Sequence, residues 1–117
     1  METSDKLLGK RVLGQLRPAN TTAAALYTKG QNVAVFGKLF ICNQTANTPA
    51  YSVFIDDNGT TYDETTAIAF AVILLANTSV EIDFDGGGLA TPSGTIGVKT
   101  SANNEITFTL FGEELDP

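Results

Sequence analysis

Histidine and tryptophan are absent from the 117 residues, and cysteine and methionine occur once each. Without histidine there is no Ser-His-Asp arrangement, and no Cys/His cluster exists to hold zinc. A single cysteine, Cys42, excludes an internal disulfide. It ends the apolar run Leu39–Phe40–Ile41–Cys42, where a small buried hydrophobe is the expected role. No stretch of 18 or more apolar residues occurs, so no membrane-spanning helix is expected. The first residues, METSDKLLGKRVLG, contain no apolar core of a secretory signal, and none is expected. Charged residues make up only 17% of the chain.

What is present is an alternation of apolar and polar residues punctuated by turns. The length suits one domain with a single core, and 43% hydrophobic residues argue against disorder. Leu13 to Arg17 reads as a short strand stopped by Pro18. Thr22 to Thr28 is the next extended piece. Val33 to Asn43 is a strong strand with Val33, Val35, Leu39 and Ile41 on one face and Ala34, Phe36, Phe40 and Cys42 on the other, bent at Gly37. Ala50 to Asp56 follows, with Tyr51, Val53 and Ile55 on one face. Asn58–Gly59 is a type I′ hairpin signal, and Thr61 to Thr65 would begin the return strand.

Thr66 to Leu75, TAIAFAVILL, fits a strand better than a buried helix because its flanks are β-like. Thr78 to Asp85 alternates cleanly, with Val80, Ile82 and Phe84 inward and Glu81, Asp83 and Asp85 toward water. After a glycine-rich loop, Ile96, Val98 and Thr100 make one strand and Ile106, Phe108 and Leu110 the last, before an acidic tail from Gly112. Roughly seven to nine strands at this spacing predict an all-β fold, an antiparallel β-sandwich or jelly roll. Phe36, Phe40 and Phe111 either fill the second face of a central strand or lie at a contact between subunits.

The net charge of −6 is divided unevenly. Residues 1–17 carry Lys6, Lys10, Arg11 and Arg17 against Glu2 and Asp5, a net +2. Residues 18–117 carry Lys29, Lys38 and Lys99 against eleven acids, a net −8. This divides the chain into an N-terminal arm, residues 1–17, and a β-sandwich domain, residues 18–117. The acidic body disfavours nucleic acid and anionic membrane. The arm suits an acidic partner, and its candidate partner-binding residues are Lys6, Leu7, Leu8, Lys10, Arg11, Val12, Leu13 and Arg17. A solvated chain end is the plainer reading of the same residues.

No constellation points to catalysis or to a cofactor. Asp56, Asp57, Asn58, Asp63 and Glu64 cluster at a turn, but the twelfth position counted from Asp56 is Ala67, so the calcium-loop spacing fails and turn chemistry is expected. Glu81, Asp83 and Asp85 alternate on a solvent face rather than flanking a scissile bond. Gly86–Gly87–Gly88 lacks the Gly-Lys-Ser/Thr ending of a phosphate loop.

Several short motifs carry a resemblance. Leu13–Gly14–Gln15, Pro18–Ala19, Thr21–Thr22 and Leu26–Tyr27–Thr28 stand in an order that resembles the opening of small β-sandwich virion structural proteins of tailed bacteriophages. Ile41–Cys42–Asn43, Ala50–Tyr51–Ser52–Val53 and the run Phe108 to Glu113 extend the likeness to about residue 114. Lys29–Gly30 replaces the hydrophobic Val-Pro of that pattern, and the charged extension before Leu13 is longer. The resemblance implies a non-enzymatic structural protein of the virion, assembled in the host cytoplasm without a cofactor. It implies a homo-oligomer, a trimer first. A head decoration protein attached through its arm to the major capsid protein, or to another virion protein, is the leading expectation. A tail, neck, baseplate or fibre-associated protein is the alternative. A carbohydrate-binding module using Tyr51 and Tyr62 is a reading of another class.

Overall fold

The computed structural model describes residues 10–115. Among them nine strands form two antiparallel sheets: β1 (Arg11–Leu16), β2 (Ala24–Thr28), β3 (Val33–Asn43), β4 (Ala50–Asp56), β5 (Ala67–Ile73), β6 (Thr78–Asp83), β7 (Gly88–Leu89), β8 (Thr95–Thr100) and β9 (Ile106–Leu115). The first sheet has the order β1-β9-β3-β6, with β7 also pairing β3, and the second has the order β2-β8-β4-β5. The two sheets enclose one core, so the chain is an all-β sandwich, as its strand-and-turn rhythm predicts.

The core is built from the inward halves of alternating strands. Phe36, Leu39 and Ile41 of β3, Ile106, Phe108 and Leu110 of β9, Val53 of β4, and Ile96 and Val98 of β8 are all fully buried. Edge-to-face contacts of Phe36 with Tyr27 (5.9 Å) and with Phe84 (5.3 Å) fill the end of the sandwich beside β2 and β6.

The period-2 reading of β3 breaks at its centre. Phe36 pairs with Gly112 and Leu39 with Leu110, so three steps on β3 oppose two on β9. The extra residue is a bulge at Gly37–Lys38. It reverses the parity of the strand: Ala34 and Phe36 point inward together with Leu39 and Ile41, where simple alternation puts them on opposite faces. Phe40 is consequently on the outer face, and Cys42 is only half-buried rather than a core residue.

Two other expectations change. Asn58 does not have positive φ, so the Asn58–Gly59 turn is not type I′. Asp56 shapes it instead, its carboxylate accepting from the Asn58 and Thr61 amides (2.9 Å each). The return strand then starts at Ala67, not Thr61. The intervening loop folds over the outer face of the second sheet, stacking Tyr62 on Phe54 at 5.7 Å. β9 also runs five residues beyond Leu110, so Glu113 and Glu114 belong to a strand rather than a tail.

Candidate interaction surfaces

The expected partner-binding residues fall in three groups. Lys6, Leu7 and Leu8 lie outside the described residues. From Arg11 to Leu16 the segment read as an arm is strand β1, paired with β9 of its own sheet from Arg11↔Gly112 to Leu16↔Phe108. Leu13 is half-buried against the core, while Lys10, Arg11, Val12 and Arg17 are exposed. Among the described residues β1 is an end strand of its sheet.

Several contacts hold this edge in place. Gly14 approaches the Leu26 carbonyl so closely that a Cβ would collide with it, which sets β1 directly over β2. Arg11 Nη2 lies 2.5 Å from Glu114 Oε1, and the Tyr27 hydroxyl donates to the other oxygen of the same carboxylate. Burial, and then the bond to Glu114, push the Tyr27 phenol well above its ordinary pKa. Arg17 donates its Nε to the Asn104 carbonyl (2.9 Å) at the far end of β1.

The opposite flank has a different surface. Since β1 lies over β2, the other outer strands, β6 and β5, share the second flank, and the short link 74–77 carries the chain between them. Strand β5 exposes Ile68, Phe70 (52%), Val72 and Ile73 (61%), and the link after it exposes Leu75 (63%). Among the described residues the remaining exposed large hydrophobics are Val12, Phe40 and Phe111 on the outer face of the first sheet, where Phe40 and Phe111 meet edge-to-face at 5.6 Å. Residues 65–80 contain no charge at all. Soluble sheets usually guard an edge with lysine, proline or an inward-pointing charge. β5 is guarded only by bulges, one of them at Ala71 (φ 52°), whose amide donates to Ser52 Oγ (2.9 Å). Beside this strip, Glu81 and Asp83 of β6 and Asp85 in the turn after it are exposed, with Glu81 paired to Lys38 of β3 at 3.0 Å.

This apolar strip was visible in the sequence only as an alternating segment. Its flanks identified it as a strand, but nothing local distinguishes an edge strand from a central one. An interior position would bury both faces, and the topology leaves one side of β5 uncovered.

The carboxylates of Asp56, Asp57 and Asp63 are occupied by loop groups. Asp57 accepts from the Ala90 and Thr91 amides (3.0 and 3.3 Å) and the Thr91 hydroxyl, tying the β4–β5 loop to the β7–β8 loop. Asp63 accepts from the Thr65 amide (2.8 Å) and hydroxyl. Backbone hydrogen bonds hold Asp56 and Asp57 below the usual carboxylate range, and Thr65, chiefly through its hydroxyl, does the same for Asp63. Among the described residues no group of three or more His, Cys, Asp or Glu side chains is placed to hold a metal ion.

The two tyrosines named for a carbohydrate platform are engaged elsewhere. Tyr51 is buried in the core. Tyr62 lies between Phe54 and the open face of Gly97, with its hydroxyl donating to Thr95 Oγ1 (2.7 Å). Comparison of the chain with protein-family models, with curated proteins and with solved structures returns no match.

Proposed function

We propose that this protein is a non-enzymatic structural component of a bacteriophage virion, a head decoration protein that works by assembling on the particle surface. The observation that carries the assembly reading is the uncharged, exposed apolar edge of β5 on an otherwise acidic chain. Such a strip is a recurrent mark of a surface that is covered in the working state. The virion setting is supported by the motifs at residues 13–28, 41–43, 50–53 and 108–113. The attachment element is the basic N-terminal segment: Lys6, Leu7 and Leu8, followed by Arg11, Val12 and Leu13 of β1 and by Lys10 and Arg17, which flank it. Repeated copies turn individually weak contacts into firm attachment.

Purified particles test this reading. The expected result is a protein present in a copy number comparable with the major capsid protein and released together with the shell. A few copies that fractionate with the tail would move the protein to the tail or neck. Its absence from particles would overturn the reading.

A further inference from the structure

The outer face of the second sheet is covered over only part of its width. The loop 57–66 lays Tyr62 on Phe54 and over Gly97. Beside it a cleft of about 280 Å³ stays open between β4, β5 and β8, its walls including Ala50, Ser52, Phe70, Ala71, Lys99 and Ser101. The β5 bulge shapes this cleft. Tyr51 pairs with Val72 and Val53 with Ala69, so Phe70 and Ala71 together stand opposite Ser52. Ala71 is held there at φ 52°, an unfavourable conformation for a residue with no polar side chain to stabilise it. Phe70 is left half-exposed, edge-to-face on Phe54 at 6.3 Å.

The polar groups of the cleft are donors with nothing to donate to. Ser52 and Lys99 are direct cross-strand neighbours on β4 and β8. Ser52 Oγ accepts from the Ala71 amide (2.9 Å), and Ser101 Oγ accepts from the Ala50 amide (2.8 Å). Each hydroxyl has its proton left to give, and among the described residues neither proton has a protein acceptor. Lys99 is exposed and, among the described residues, forms no ion pair. The other two lysines of the body are committed: Lys38 to Glu81 at 3.0 Å, and the buried Lys29 to the Gly30 carbonyl at 2.9 Å. Among the described residues no acid lines the cleft. In a body with eleven acids, the uncommitted ammonium thus stands beside two hydroxyl donors and an open aromatic ring.

We propose that this cleft binds a carboxylate carried on an apolar or aromatic group. Lys99 supplies the opposite charge, and the Ser52 and Ser101 hydroxyls supply hydrogen bonds to the carboxylate oxygens. The open side of the Phe70 ring takes the apolar portion. A monoanion suits the site better than a phosphate. One ammonium neutralises one charge, and the acidic body around it penalises a second. The volume lies just below the usual range of small-molecule sites, about 300–1,000 Å³, which suits a group the size of phenylacetate. Such a carboxylate arrives either as a free acid or as the C-terminal residue of a partner chain. The site goes beyond the virion reading and does not rest on it.

NMR titration of the full chain with phenylacetate at neutral pH provides the test. Saturable shifts are expected at the amides of Phe70, Ala71, Lys99 and Ser101, with a Kd of about 1 mM for so small a probe. Phenylacetamide keeps the ring but lacks the charge, and is expected to bind about tenfold more weakly or worse. Lys99→Gln is expected to weaken phenylacetate binding by about tenfold and to leave phenylacetamide binding as it was. Phe70→Ala is expected to weaken both. Both side chains are in solvent, so the core resonances should stay in place in each variant. A peptide ending in a free C-terminal phenylalanine identifies the source. Binding tighter than that of phenylacetate, and lost on amidation, assigns the carboxylate to a chain end; binding no tighter assigns it to a free acid. No saturable shift at about 10 mM phenylacetate overturns the inference. So does equal affinity for acid and amide, or a Lys99→Gln variant that binds phenylacetate as wild type does. Each of these results leaves the virion reading standing, and absence of the protein from particles leaves the cleft standing.

Discussion

The Tyr27 hydroxyl of one sheet donates to the Glu114 carboxylate of the other, and Arg11 grips the same carboxylate from the edge strand. One acid thus joins β2, β9 and β1. Tyr27→Phe keeps the buried ring and its contact with Phe36 but removes the donor. Glu114 retains Arg11, so the expected cost is about 1 kcal/mol rather than that of a stranded charge. The pH dependence carries more information. The phenol pKa is raised in the folded chain above its ordinary 10.0, so the folded state holds its proton at pH values where the unfolded chain has lost it. The stabilisation is complete below pH 10.0 and is lost as pH rises above it. Urea unfolding of both proteins checks this: the wild-type advantage over Tyr27→Phe should be constant near neutrality and shrink through the alkaline range.

Gly97 is the floor under Tyr62. A Cβ there would stand 2.5 Å from Cε1 and 2.6 Å from Cζ of the ring. Gly97→Ala must lift the ring from Phe54 and stretch its bond to Thr95, at about 1–3 kcal/mol. Tyr62→Ala removes the obstacle and exposes Phe54 instead. The two changes share one contact, so the double variant should cost clearly less than the sum of the singles. Thermal unfolding of the four proteins completes the cycle, and additive effects would mean the ring does not rest on Gly97.

Much of this sandwich is legible in the chain, and the exceptions have identifiable causes. β3, β4 and the alternating part of β6 follow from apolar period and turn residues, because one face of each is buried and the other is not. Gly37 marks a bend in the sequence, but whether a glycine bends a strand or inserts an extra residue depends on the partner strand. The resulting reversal of parity places Phe36 in the core and Phe40 outside. The Asn58–Gly59 signal is overridden because Asp56 captures the amides of its own loop and Tyr62 has a groove to fill over Gly97. The charge difference between residues 1–17 and the body is present in composition. That the basic and acidic residues occupy opposite edges of one sheet follows only from the strand order.

Asp57 links two loops at one end of the sandwich, so its loss should be felt locally. Asp57→Ala is expected to speed amide hydrogen exchange at Ala90 and Thr91 while leaving the core strands protected. Backbone hydrogen bonds hold its pKa below the ordinary 3.8. Its contribution is therefore present above that pH and is lost as pH falls through the depressed value. In wild type the same two amides should begin to exchange faster only on acidification below the ordinary carboxylate range. Equal exchange in both proteins at neutral pH would show that the link holds nothing.

At the same end as the β5–β6 link, Asn43 is buried and its side chain is fully used. Nδ2 donates to the carbonyls of Asn47 (2.8 Å) and Leu75 (3.1 Å), with a longer contact to Leu74 (3.4 Å), and Oδ1 accepts from the Thr45 amide and hydroxyl. One amide thereby joins the β3–β4 loop to the β5–β6 link, which positions the apolar strip. Asn43→Leu fits the site in size but leaves several polar groups without a partner, at about 3 kcal/mol. Asn43→Asp separates the two halves of the role. The carboxylate still accepts from Thr45 but turns a negative charge toward two carbonyl oxygens. Burial and those carbonyls raise the introduced acid's pKa above its unfolded value, so the folded state favours its protonated form. The aspartate variant should therefore gain stability relative to wild type as pH is lowered through the carboxylate range, whereas the leucine variant should not. Urea midpoints for the three proteins across that range decide it, and parallel pH profiles would show that the amide hydrogens are not what Asn43 contributes.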